Sequence, residues 1–215
     1  MQKDLGDYRK SYEKSELTEA SVKENPMEQF QKWFHEVEAV DGVDEPNAMT
    51  VSTIGLDGFP KSRVVLMKKF TYEGFIFYTN YQSEKGKAIA ANPSVCLSFF
   101  WPNMERQVII KGKAEKIAEN LSDGYFESRP HGSQLGAVVS DQSEVVPTRD
   151  YLENKLKELE QQYEGKEVPR PEYWGGYLVR PVSMEFWQGR PNRLHDRIRY
   201  SLQDDLDWKI ERLAP

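Results

Sequence analysis

Nine short stretches of this chain carry strand character, and most are separated only by turns. A sheet built largely from hairpins is therefore the arrangement the backbone can most directly satisfy. AMTVSTIG (48–55) and KSRVVLMKK (61–69) flank Asp57-Gly58, a pair that favours a two-residue turn. FIFYTN (75–80) and VCLSFFW (95–101) follow, and PNME joins the latter to RQVIIKGKAEKI (106–117). GGYLVR (175–180), SMEFWQ (183–188), RIRYSL (197–202) and DWKIERL (207–213) close the set. Helical stretches are inserted among these strands and do not alternate with them. That excludes a doubly wound parallel sheet and predicts a mainly β chain with helices (α+β), its strands forming an antiparallel barrel.

The helical insertions have ordinary start and stop signals. Asn25 followed by Pro26 reads as an N-cap with proline at the first helical position, and Met27, Phe30, Phe34 and Val37 recur at helical spacing. Ser83 caps a short helix that ends before Pro93. Helical character returns from Leu121 through GYFESRP and SQLGAVVS. Thr148 opens a further helix with Leu152, Leu156, Leu159 and Tyr163 along one stripe. Residues 1–24 are polar and charged and predict a mobile N-terminal arm, leaving 25–215 as a single domain.

Several function classes fall away. The net charge of −6 lacks the basic footprint of a nucleic-acid binder. No apolar run reaches the roughly 18 residues of a membrane span, and MQKDLGDYRK has no apolar core of a signal peptide. The single cysteine, Cys96, permits neither an internal disulfide nor a thiolate cluster and reads as core, so a reducing, cytoplasmic setting is the expectation. GxGxxG, GxxxxGK[ST], HExxH and GxSxG are all missing, and with three histidines a metal site is not expected.

Three segments carry positive signals. Tyr78-Thr79-Asn80 followed by Ser83-Glu84-Lys85 brings a lysine to the first turn of a capped helix, where free amides and the helix dipole favour a phosphate. An ordinary solvated helix start has the same spacing. Arg63-Val64-Val65-Leu66-Met67-Lys68 puts Arg63, Val65 and Met67 on one strand face and Val64, Leu66 and Lys68 on the other, with a cation at each end. Solvated strand ends look alike. FWQGRPNRLHDRIRY (186–200) is the strongest. If extended, it directs Arg193, His195, Arg197 and Arg199 to one side, a crowd that calls for an anion, beside the flat face of Trp187. Tyr125, Arg129 and Ser133 could form a second anion pocket, while Gln142 and Ser143 need no more than loop propensity.

Taken in order, these segments resemble the pyridoxine (pyridoxamine) 5′-phosphate oxidase family. RVVLMK, YTN with SEKGK, ERQV, YFESRP with SQLGAVVS and QS, WGGY, EFWQG, RLHDR and the terminal ERLAP are similar to its blocks from about Arg9 to Pro215. RLHDR after EFWQG is specific to that family among FMN split barrels. The resemblance implies a homodimer of FMN-binding split barrels with peripheral helices. By position, Arg63, Val64, Val65, Leu66, Tyr78, Thr79, Lys85 and Gln107 would bind FMN, with Gln142, Ser143, Trp187 and Arg197 completing that site, some from the partner. Lys68, Tyr125, Arg129 and Ser133 would hold the substrate phosphate, and Arg193 and His195 the pyridine end, as the catalytic pair. Arg9, Lys10, Ser11 and Tyr12 resemble a substrate lid. The implied reaction is oxidation of pyridoxine 5′-phosphate or pyridoxamine 5′-phosphate by dioxygen to pyridoxal 5′-phosphate. Hydride passes from C4′ to flavin N5, hydrogen peroxide forms, and the amine also yields ammonia. Another FMN split-barrel oxidoreductase would need no RLHDR block, and a non-catalytic flavin or pyridoxal-phosphate binder would consume no oxygen. One position departs from the family, Glu84, where Arg or Lys is usual, and this predicts weaker FMN retention.

Overall fold

The computed structural model describes residues 4–8 and 10–215. Two compact units are formed: one from residues up to Thr50 with Cys96–Lys111 and Pro181–Pro215, the other from Val51–Val95 with Gly112–Arg180. Among the described residues there are nine strands, β1 (Ala48–Ile54), β2 (Pro60–Leu66), β3 (Lys69–Thr71), β4 (Gly74–Asn80), β5 (Ser94–Trp101), β6 (Arg106–Lys116), β7 (Trp174–Gln188), β8 (Asp196–Leu202) and β9 (Trp208–Arg212). Five helices accompany them: α1 (Pro26–Glu38), α2 (Glu84–Ala91), α3 (Glu119–Glu127), α4 (His131–Val139) and α5 (Arg149–Gln162). Hydrogen bonding orders the sheet β2-β1-β5-β6-β7-β4-β3, with β8 on β7 and β9 on β8.

The strand division differs from the expectation in two places. GGYLVR and SMEFWQ are one strand, β7, which passes straight through Pro181. β7 pairs antiparallel with β4 up to Val179 and with β8 from Ser183, so Pro181 stands where the strand changes partner. A residue without an N–H is tolerated there. KSRVVLMKK instead divides: β2 stops at Leu66, Met67 turns into the core, and β3 pairs with β4 in a short hairpin. The turn at Asp57-Gly58 forms as expected. Gly58 takes the left-handed conformation (φ 82°) and the Asp57 carboxylate accepts the Phe59 amide at 3.1 Å.

In the first unit, Asn25 caps α1 through its side chain (2.8 Å to the Met27 amide) and Pro26 opens the helix. The buried face of α1, with Phe30, Trp33, Phe34 and Val37, meets aromatic partners: Phe30 lies 5.1 Å from Phe99 and Trp33 stands edge-on to Phe186 at 5.2 Å. Alternation along β5 buries Val95, Leu97, Phe99 and Trp101. Cys96 falls on the opposite face and is half-buried, not core, for the same reason. Among the described residues of the arm up to Glu24 there is no helix or strand, yet Leu17 is buried and its amide donates to Asp196 at 3.0 Å.

In the second unit, Phe75 and Phe77 of β4 and Tyr177 and Val179 of β7 are buried. A separate cluster joins Phe126 of α3, Leu135 of α4, Val168 and Trp174, with Leu156 and Leu159 of α5 and Tyr163 at its C-terminal cap packed half-buried against it. Among the described residues no helix is long and apolar enough to cross a membrane.

Candidate active site

The second unit holds a cleft of about 1040 Å³. Its lining contains the sequence-predicted Arg63, Val64, Val65, Leu66, Lys68, Tyr78, Thr79, Lys85, Tyr125, Arg129, Ser133, Gln142 and Ser143. The ends of β2 and β4, the start of α2 and the α3–α4 region converge there. β2 contributes residues from both alternation classes, because the strand ends inside the lining.

Lys85 is the electrostatic centre. It is 8% exposed, and its ammonium donates to Gln142 Oε1 (2.8 Å), Thr79 Oγ1 (3.0 Å) and Ser83 Oγ (3.4 Å), all neutral oxygens. Burial, with the repulsion of Arg63 behind it, pushes its pKa down to about 8, while Glu84 acts in the opposite sense. Arg63 is held by Thr53 Oγ1 (2.8 Å) and the Lys61 carbonyl (2.7 Å), again neutral groups. Glu84, the departure noted in the sequence, turns to Lys61 and pairs with it. Gln142, which loop propensity alone would explain, ties its loop to Lys85 and Thr79, and the adjoining Ser143 has a left-handed backbone (φ 80°).

A second cationic group sits on an aromatic shelf. Tyr78 and Tyr125 stack at 3.9 Å, Tyr78 and Trp174 at 5.5 Å, and the Arg129 guanidinium lies 4.7 Å over Trp174. Arg129 Nη1 is buried without a hydrogen-bond partner. Such an orphan carries a desolvation cost until an acceptor arrives. Lys61, Arg63, Lys68, Lys85 and Arg129 thus face one carboxylate, Glu84, among the lining residues of a chain that is acidic overall. The composition suits a ligand bearing phosphate. Trp174 and Lys61 were missed by sequence reasoning; Trp174 precedes GGY, but nothing in one sequence shows that its ring underlies Arg129.

The remaining expected residues lie in the first unit. Gln107 is half-buried on β6. The extended arrangement of 193–199 is corrected: Pro191–Arg193 form a 3₁₀ turn with Asn192 and Arg193 left-handed (φ 56° and 62°), and β8 begins only at Asp196. Only Arg197 and Arg199 share the strand alternation, and carboxylates meet both. Glu185 accepts from Arg197 Nε at 2.8 Å, and Glu211 from Arg199 Nη2 at 2.9 Å. Two members of the expected crowd are therefore neutralised from within: β8 lies between β7 and β9, with Glu211 directly across from Arg199 and Glu185 diagonally across from Arg197. Arg193 is exposed and meets no carboxylate among the described residues. His195 packs 4.7 Å from Trp187, and its Nδ1 accepts the Arg190 amide at 3.1 Å. Tyr12 reaches the same place, 5.7 Å from Trp187 and 5.8 Å from His195. Lys10 and Ser11 are exposed nearby in the chain, and Arg9 lies outside the described residues.

A phosphate-suited cleft beside an antiparallel sheet defines the class, and comparison with known proteins gives the family. Residues 36–163 match the model described as pyridoxamine 5′-phosphate oxidase, and 174–215 match the pyridoxine 5′-phosphate oxidase C-terminal dimerisation region. The chain belongs to the pyridoxamine 5′-phosphate oxidase family, a family of oxidases. It is 71% identical over 213 residues to the pyridoxine/pyridoxamine 5′-phosphate oxidase of Flavobacterium psychrophilum, covering 99% of this chain and 100% of that one. The protein of the same name from Christiangramia forsetii is 54% identical over the whole of both chains. Among solved structures, PhzG from Burkholderia lata, bound to tetrahydrophenazine-1-carboxylic acid, superposes with a TM-score of 0.86 at 29% identity, covering 93% and 98% of the two chains. A pyridoxamine 5′-phosphate oxidase-related, FMN-binding protein from Nostoc punctiforme shares the fold at a TM-score of 0.71 and 13% identity, over 94% and 100% of the chains. The expected fold class, an antiparallel split barrel with peripheral helices, is the one these structures share.

Proposed function

We propose that this protein uses FMN to oxidise pyridoxine 5′-phosphate or pyridoxamine 5′-phosphate with dioxygen, giving pyridoxal 5′-phosphate and hydrogen peroxide, with ammonia from the amine. The observation that carries the reading is the cation excess of the cleft, where Lys85 is buried among neutral oxygens and Arg129 keeps an orphaned nitrogen. Its family membership along most of its length supports the same reading.

Arg63, Lys85 and the amide end of α2 are the proposed holders of the FMN phosphate, with Val64, Val65, Leu66, Tyr78, Thr79, Gln142 and Ser143 lining the cleft around it. Gln107, Trp187 and Arg197 are proposed to complete the flavin site, part of it supplied by a second copy in a homodimer, which the match to a dimerisation region supports. Bound FMN would supply the redox chemistry, accepting hydride from C4′ and passing the electron pair to dioxygen. Lys68, Tyr125, Arg129 and Ser133 would anchor the substrate phosphate, so that its binding energy orients the ring.

Arg193 and His195 are proposed to face the pyridine ring, under the arm residues Lys10, Ser11 and Tyr12. Since His195 Nδ1 accepts the Arg190 amide, the neutral imidazole carries its proton on Nε2. It can therefore donate a hydrogen bond to an electron-rich atom of the substrate, and Arg193 adds a fixed positive charge. The cytoplasm is the proposed setting, since the single Cys96 cannot pair within the chain.

The test is a visible spectrum of the purified protein, followed by oxygen uptake with pyridoxamine 5′-phosphate. A flavin spectrum, substrate-dependent oxygen consumption and release of pyridoxal 5′-phosphate are expected. Bound flavin without turnover of either phosphorylated vitamer would transfer the assignment to another split-barrel oxidoreductase. No flavin after reconstitution with FMN would refute the cofactor assignment.

A further inference from the structure

We propose that Glu105 is a positioning residue that fastens arm residues Lys10–Lys14 and thereby seats the Tyr12 ring on Gly189, Trp187 and His195. The inference rests on the reading of Tyr12 and His195 as substrate-facing groups and adds the anchor that holds them together.

Glu105 occupies the turn between β5 and β6 and is 2% exposed, a place where a carboxylate is costly without compensation. Among the described residues the compensation comes from the arm. Oε2 accepts the amides of Glu13 (2.9 Å) and Lys14 (3.1 Å), and Oε1 pairs with Lys10 Nζ at 3.2 Å. Burial works to raise the carboxyl pKa, but the Lys14 amide, Lys10 and the Glu13 amide together outweigh it and hold the group below its ordinary range. The backbone of Glu105 is left-handed (φ 56°), a conformation that glycine or asparagine takes more readily. Neither of those residues would bring a charge to the three arm donors.

The same residue also holds the other side of the seat. Its carbonyl accepts the Gly189 amide at 2.8 Å and Gln188 Nε2 at 3.3 Å, fixing the end of β7. A Cβ on Gly189 would stand 2.7 Å from Tyr12 Cγ and 2.8 Å from Tyr12 Cβ, so the ring occupies the space that a side chain there would need. Glu105 thus binds the arm through its side chain and the floor beneath Tyr12 through its backbone.

The experiment compares amide hydrogen exchange and steady-state kinetics of the FMN-loaded protein with Glu105→Gln, Tyr12→Ala and the double variant. Loss of the charged acceptor should speed exchange in the arm peptide around Glu13 and Lys14 by about tenfold or more. Exchange in β7 and β8 should not change. KM for pyridoxine 5′-phosphate should rise about tenfold in Glu105→Gln with FMN retention unaltered, and the double variant should be no worse than Tyr12→Ala. Arm exchange equal to that of the parent, or additive effects on KM, would overturn the anchor. Gly189→Ala provides a second route that leaves Glu105 intact, because its methyl meets Tyr12 before anything else; an unchanged KM in that variant also overturns the proposal. If the parent turns over neither vitamer, the functional reading fails by itself, and arm exchange still decides on Glu105.

Discussion

The guanidinium of Arg129 lies 4.7 Å over the indole of Trp174 with Nη1 buried and unpartnered, so a stacked and partly desolvated cation waits in the cleft for an acceptor. Arg129→Ala should raise KM for pyridoxine 5′-phosphate roughly 10- to 100-fold, the worth of a charge-assisted hydrogen bond, with FMN content unchanged. Arg129→Lys should recover only part of the loss, since an ammonium neither stacks flat on Trp174 nor forks onto a phosphate. Steady-state kinetics with flavin quantified per protein would check both. A fall in FMN content in step with activity would place Arg129 with the cofactor.

Lys85 gives two pH dependences. Its pKa falls from 10.5 to about 8 in the fold, so between those values the unfolded chain binds more protons than the folded one. Stability of the FMN-free protein from this group should therefore rise with pH across that window and be flat below it. With Lys85 as the proposed holder of the FMN phosphate, its charged form is the one that binds, so affinity should weaken above about pH 8. Lys85→Arg should flatten the affinity profile, because guanidinium stays protonated. FMN titrations monitored by flavin fluorescence from pH 7 to about 10 would test this; parallel profiles for the two proteins would rule Lys85 out as the source.

Glu84→Arg should tighten FMN binding by a few fold, on the scale of a solvent-exposed charge interaction. The gain comes from exchanging a carboxylate for a guanidinium at the rim and from releasing Lys61, which Glu84 now holds. Equal dissociation constants for the variant and the parent, measured at low salt, would contradict it.

Arg193→Ala should cost roughly 100-fold in kcat, as removal of one preorganised electrostatic group does, while FMN occupancy stays at the parent level. Arg193 makes no ion pair among the described residues, so its loss leaves no buried carboxylate behind and Tm should hardly move. Single-turnover flavin reduction separates the catalytic effect from binding.

Much of this was legible in the residues. Periodicity located α1 and its cap at Asn25, the hairpin at Asp57-Gly58, and the strand ladders of β5 and β6. Most of the cleft residues stand near strand and helix ends, where local signals are strong, and thirteen expected residues line one cavity. What failed was the division of the sheet at Met67 and Pro181 and the extended reading of Arg193 and His195. Each depends on which strand lies alongside, and period-2 alternation does not carry that information.

The sequence by itself determined the class of fold, the helix starts capped by Asn25, Ser83 and Thr148 and the cationic residue types, because those follow from spacing, capping and charge along the chain. Only the tertiary structure decided which charges remain free to meet a ligand. Glu185 and Glu211 take up Arg197 and Arg199 through cross-strand pairing, Lys61 takes up Glu84, and Glu105 is spent on the arm. Lys85 and Arg129 are left among neutral oxygens and aromatic faces. Pairing of this kind acts through space over a few ångströms and between residues far apart in the chain, so only the folded arrangement could assign it.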